Sequence, residues 1–203
     1  MKLLFITPPM GNWAPWGDRH LAVNSLHAQV AAFIREKKSA EVAVLDCRAL
    51  GLNDDQMIDE VKRQRPDAVF FGAMIAAAGG AATLNRFHAA MQKIKEVAPQ
   101  TVTIGGGLMY TAVPHKIMTD NPQLDFAIVG VFADNEHAVW ELLEELKKPA
   151  PDFSGIKGLA YRKNGEVVLT PARPVIANLD ELPMPAYDLF PMDKYYGYSV
   201  IPN

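Results

Sequence analysis

Five short runs of β-branched and aromatic residues, each followed by a longer amphipathic stretch, constrain this chain more than any other feature. The runs are KLLFIT (2–7), EVAVLD (41–46), DAVFFG (67–72), TVTIGG (101–106) and DFAIVG (125–130). Such interleaving gives strands joined by crossover helices, and therefore a largely parallel sheet covered on both faces. The helical stretches carry apolar stripes at the spacing one helix face needs: Val23, Leu26, Val30, Phe33 and Ile34 in the first, Leu84, Phe87, Met91 and Ile94 in the third. The second opens at Asn53 with Gln56 three residues on, a capping box, and with Leu52 placed to staple against Met57. The last holds Val139, Leu142, Leu143 and Leu146, then Lys147 and Lys148 in its final turn and Pro149 to stop it. Five βα units predict an α/β fold with a flavodoxin-like, doubly wound, five-stranded parallel sheet of order 2-1-3-4-5. Ligands of such sheets bind beyond the carboxyl ends of the strands, where the strand order reverses.

The pattern changes after Pro149. PAPDFSG reads as a linker, KGLAYRKNGEVVLT as a hairpin turning at Asn164-Gly165, and the tail that follows is broken by Pro183, Pro185 and Pro191. The expected organisation is a cofactor-binding Rossmann-like domain over 1–148 and a smaller unit of linker, hairpin and tail over 149–203. A net charge of -3 and a pI near 5.9 provide no basic footprint for nucleic acid. No apolar run reaches the ~18 residues of a membrane span, and MKLLFI meets Pro8 and Pro9 too soon for a signal peptide, so a cytoplasmic protein with no membrane partner is expected. The single cysteine, Cys47, excludes an internal disulfide or a cysteine-cluster metal site built within this chain.

Familiar sites are missing from the loops. TPPMGNWAPWGD after the first strand is neither a dinucleotide fingerprint nor a P-loop, no G-x-S-x-G supplies a nucleophile, and FFGAM has no phosphoacceptor aspartate. Small residues are left: GAMIAAAGGAATL after the third strand and GGGLMY after the fourth. Glycine clusters permit positive φ and close approach, so two of them at one sheet edge suit a flat, bulky ligand. DCRALG (46–51) leaves the second strand at the same edge, and Asp46 and Arg48 either face that ligand or merely bond the turn and the solvent. Trp13 and Trp16 cover the ligand or pack on a helix; His20, His27 and His88 read as surface or packing residues, while His115 and His137 start helices near the ligand edge.

These loops resemble the cobalamin-binding fold, whose motifs are D-x-H-x-x-G, S-x-L and GG. DCRALG stands for the first, Gly72-Ala73-Met74 for the second and Gly105-Gly106-Gly107 for the third. Over its whole length the chain is similar to the N-terminal part of cobalamin-dependent radical S-adenosylmethionine enzymes, on the PP after the first strand, RPDAVFFGA, TVTIGGG, DFAIVG and LDELPMPAYDLFP. GNWAPW and LNDDQM are similar to the anaerobic magnesium-protoporphyrin monomethyl ester cyclases. The family's GEGE is here GVFADNE. The resemblance implies a corrinoid, cobalamin bound base-off, contacted by Asp46, Arg48, Gly51, Gly72, Ala73, Met74, Gly105, Gly106, Gly107, Gly130, Phe132 and Trp13. It implies methyl transfer or oxidative cyclisation, with S-adenosylmethionine and a [4Fe-4S] cluster held by a downstream radical SAM domain rather than by a chain with one cysteine. Arg48 replaces the family's histidine, and a guanidinium has no lone pair for cobalt, which leaves His115 or His137 as the alternative axial donor. A flavodoxin-like flavin or nucleotide binder and a docking module without cofactor are the alternatives.

Overall fold

The computed structural model describes residues 1–9, 22–72, 80–130 and 135–195. All five expected strands are present: β1 (Lys2–Thr7), β2 (Glu41–Asp46), β3 (Ala68–Gly72), β4 (Val102–Gly106) and β5 (Phe126–Ile128). They run parallel in the order β2-β1-β3-β4-β5. The helices are α1 (Ser25–Glu36), α2 (Asp54–Gln64), α3 (Gly80–Val97), the short α4 (Leu108–Ala112) and α5 (Pro114–Asp120), and α6 (Asn135–Leu146). The capping box of α2 forms as expected, with Asn53 and Gln56 exchanging bonds of 2.9 Å. Between β4 and β5 the chain makes two helices, because Pro114 takes the first position of α5, where its missing N–H costs nothing.

Strand alternation sorts the core into two layers. Leu4, Ile6, Val69 and Phe71 pack under α2, α3 and α5; Leu3, Phe5, Phe70 and Ile104 pack under α1 and α6. Both sets are fully buried, as a sheet covered on each face requires.

The C-terminal hairpin, β6 (Leu159–Lys163) and β7 (Glu166–Leu169), turns at Asn164 and Gly165, both with positive φ. It does not stand apart from the sheet. β6 pairs antiparallel with β5, Phe126 opposite Tyr161, and extends the sheet to seven strands. A three-residue β5 left as an edge would present unpaired amides, and the hairpin covers them. Residues 178–195 then return across α1: Ala186 N–H donates to Ala28 O at 2.9 Å, Gln29 Nε2 to Pro183 O at 3.1 Å, and Arg35 grips Asp188 at 2.6 and 3.1 Å. Ala186 and Phe190 are buried there, so the tail borrows a core from α1.

Candidate functional site

The sheet register defines a row of four residues at the carboxyl edge. Thr7 lies opposite Asp46, and Gly72 opposite Gly106. By alternation with Phe5, Phe70 and Ile104, all four face the α1/α6 layer. Between the two pairs runs the seam of β1 and β3, where the strand order reverses. Its ladder stops at Phe5 opposite Phe70, although the ladders on either side continue for two more residues.

Side chains from α1 span that seam. Asn24, the N-cap of α1, accepts from His27 N–H and donates its Nδ2 to Gly72 O at 3.0 Å. Gly72 N–H in turn donates to His27 Nε2 at 2.8 Å. Both main-chain groups of the last β3 residue are therefore held by the first turn of α1. His27 is completely buried beside Phe5 and Phe70, with ring centroids 5.6 and 5.8 Å away, and burial lowers its pKa to about 3. The neutral ring accepts at Nε2 and so carries its proton on Nδ1, which has no hydrogen-bond partner.

Asp46 closes the turn after β2. Its Oδ1 accepts from Ala49 N–H at 3.0 Å, and its Oδ2 accepts from the Tyr195 hydroxyl at 2.8 Å, brought there by the returning tail. The residue is 2% exposed; burial raises the carboxyl above its ordinary value, against the bonds from Ala49, Tyr195 and Arg48. Gly51 has φ +65° with nothing near its missing Cβ, so glycine is there for the backbone conformation alone. Cys47 is buried, and its thiol is pushed up to about 12 by burial first and then by Asp46, which disfavours the nucleophilic thiolate.

The glycines of β3 and β4 do not border open space. A Cβ on Gly72 would lie 2.7 Å from the His27 ring, one on Gly106 2.6 Å from Phe70 and 2.9 Å from Asn135 Oδ1, and one on Gly105 would run into Tyr110. Sequence reading took these missing side chains as room for a ligand, whereas the room at each Cβ holds the protein's own groups. Gly105 also faces the opposite layer, where Tyr110 meets His88 edge-on at 5.9 Å. Gly107 has φ +96° and caps α4; the Thr111 hydroxyl bonds Gly107 O at 3.1 Å and both main-chain groups of Gly130, at 2.9 and 3.0 Å, tying the ends of β4 and β5 together. Trp13, Ala73, Met74 and Phe132 lie outside the described residues, as do Trp16 and His20. Of the other histidines, His88 is buried, His115 exposed and His137 half-buried against Phe33.

Sequence reading passed over Thr7, Asn24, Asn135 and Tyr195, and took His27 for a bland residue. The Asn24-x-x-His27 spacing at a helix start was visible, but its target on β3 depends on register and has no local signal. Thr7 Oγ1, His27 Nδ1 and both amide atoms of Asn135 are buried without hydrogen-bond partners, all on the α1/α6 side of the carboxyl edge. A group rich in donors and acceptors fits such a row, because it would satisfy atoms that are costly to leave unbonded. Among the described residues no group of three or more His, Cys, Asp or Glu could hold a metal ion, and no described helix is long and apolar enough to cross a membrane.

Residues 26–139 match the family model described as B12 binding domain. The chain is 33% identical over 173 residues to an uncharacterized methyltransferase, PH0819, of Pyrococcus horikoshii, covering 85% of this chain and 35% of that protein. It is 26% identical over 206 residues to the anaerobic magnesium-protoporphyrin IX monomethyl ester cyclase of Rubrivivax gelatinosus, covering 96% of this chain and 34% of that one. The chain thus spans about a third of the length of these curated relatives. Among solved structures, the cobalamin-dependent S-adenosylmethionine radical enzyme OxsB, with aqua-cobalamin and S-adenosylmethionine bound, superposes with a TM-score of 0.70 at 18% identity. That match covers 93% of this chain and 24% of the other, a likeness of fold.

Proposed function

Because the chain belongs to the B12-binding domain family, we propose that it holds a corrinoid at the carboxyl edge of β1 and β3, as the cofactor module of a cobalamin-dependent radical SAM enzyme. The observation that carries this reading is the row of buried, unpartnered polar atoms on Thr7, His27 and Asn135, beside the seam where the strand order reverses. The bound corrinoid supplies a cobalt centre suited to methyl transfer or to the electron transfer of an oxidative cyclisation. Neither the DCRALG turn nor His27 would offer it an imidazole ligand. Arg48 has no lone pair, and His27 has one nitrogen occupied by Gly72 N–H and the other protonated. In this reading the corrinoid would bind base-off, and Arg48 would place positive charge near it rather than supply a ligand.

In this reading residues 1–148 carry the cofactor and 149–203 lead to a downstream radical SAM domain that binds S-adenosylmethionine and the [4Fe-4S] cluster. Two facts support a downstream domain: the chain spans about a third of its relatives' length, and Val175, Leu179, Met184 and Met192 expose apolar surface along the tail. The packing of His27, Tyr110 and Asn135 against the glycines favours a second reading, a docking module that has lost its cofactor.

Incubation of the chain with hydroxocobalamin and, separately, with flavin mononucleotide, followed by desalting and a visible spectrum, tests both readings. Retained corrinoid absorption is expected; retained flavin, or no colour at all, would refute the proposal. In a loaded Arg48→His variant, the paramagnetic cobalt should gain nitrogen hyperfine splitting. An unchanged spectrum would remove the DCRALG turn from beneath the metal.

A further inference from the structure

Asn135 is the first residue of α6, completely buried, and neither its Oδ1 nor its Nδ2 has a hydrogen-bond partner. Its Oδ1 lies 2.9 Å from where a Cβ on Gly106 would be, so the missing side chain on β4 leaves room for the amide. A buried carboxamide with both ends unbonded costs stability, and an apolar side chain of the same shape would fold better there. Its retention calls for a ligand.

A carboxamide offers one acceptor and one donor side by side in a plane. Its complement is a planar group with the opposite pair, either another primary carboxamide or the edge of an aminopurine, which asparagine bonds in bidentate fashion. Corrinoids present such an edge in two places: the carboxamide arms around the corrin ring, and the lower base when that base is adenine. A dimethylbenzimidazole base has no such pair. We propose that Asn135 reads a paired donor–acceptor edge of the bound corrinoid and thereby sets which corrinoid the chain prefers. This rests on the corrinoid reading above.

The test uses the 203-residue chain and its Asn135→Leu and Asn135→Ala variants. Thermal midpoints are measured without ligand, and dissociation constants are measured by visible titration with cobinamide, cobalamin and the adenine-based analogue of cobalamin. Asn135→Leu should raise the midpoint of the ligand-free chain yet bind corrinoid about tenfold or more weakly, and Asn135→Ala, which cannot clash, should show the same weakening. Equal weakening for all three ligands assigns the edge to a carboxamide arm. Weakening confined to the adenine analogue assigns it to the base. Weakening confined to cobalamin, or unchanged affinity in both variants while the wild type binds, overturns the role of Asn135 and leaves the corrinoid reading intact. A fall in midpoint with Asn135→Leu, matched by a proportionate loss of affinity, would make Asn135 structural and also overturn it. A wild-type chain that binds none of the three ligands would overturn the corrinoid reading itself.

Discussion

Replacing Tyr195 by phenylalanine removes one hydroxyl, and with it the 2.8 Å bond to Asp46 Oδ2. Asp46 is 2% exposed with the hydroxyl in place, so the lost donor leaves a carboxylate largely withdrawn from solvent. A hydrogen bond to a buried charged group contributes about 1.5–3 kcal/mol, against about 0.5–1.5 kcal/mol for a bond between neutral groups. Tyr195→Phe should therefore cost about 1.5–3 kcal/mol at neutral pH, a fall of about 1 M in the urea midpoint at an ordinary denaturant slope. The pH dependence follows from the direction of the Asp46 shift. Burial raises its folded-state pKa above the ordinary 3.8, so the folded chain binds this proton more tightly than the unfolded one. The stability that Asp46 contributes is then fully present below 3.8 and is lost as pH rises through the folded value. Because the Tyr195 bond opposes the rise, its removal pushes the folded value higher and widens the window of loss. The penalty of Tyr195→Phe should be largest at neutral pH and shrink toward acid. Urea titrations of both proteins at several pH values between about 4 and about 7 measure it. A penalty that is absent, or the same at every pH, would refute the argument that the tail's hydroxyl stabilises a buried carboxylate.

Two glycines should respond to alanine for different reasons. Gly105→Ala drives a methyl into the buried Tyr110 ring and should cost about 1–3 kcal/mol, while Gly51→Ala meets no atom and carries only the φ +65° penalty of about 1–2 kcal/mol. Both variants should melt lower than the parent chain, with only Gly105→Ala disturbing near-ultraviolet signals of packed aromatics. His27, with its pKa lowered from 6.5 to about 3 by burial, contributes stability that is present above 6.5 and lost as pH falls toward about 3. Its imidazole resonances should stay those of the neutral ring from about pH 8 to about pH 5, and a midpoint at the ordinary value would contradict its burial against Gly72.

The strands and the cap of α2 were legible because their signals are local. EVAVLD and TVTIGG end where β2 and β4 end, at Asp46 and Gly106, and Asn53 with Gln56 marks a helix start on its own. The hairpin was legible from Asn164-Gly165, but its pairing with β5 was not, since nothing in either strand names its neighbour. The same holds for the site. Asp46, Gly72 and Gly106 were singled out and do share one face, yet a sequence records only that a side chain is missing at Gly72 or Gly106. It does not record that His27 and Asn135, 45 and 29 positions away, occupy the room. The Tyr195 bond spans 149 positions, beyond the reach of any periodicity.

At the joint between β1 and β3 the backbone ladder gives out early, and an amide and an imidazole from the start of α1 take up the main-chain groups of Gly72 instead. The end of β3 is thus moored to a helix rather than to the strand beside it. Exchanging Asn24 or His27 would loosen that mooring while leaving in place every residue that pairs in the neighbouring ladders.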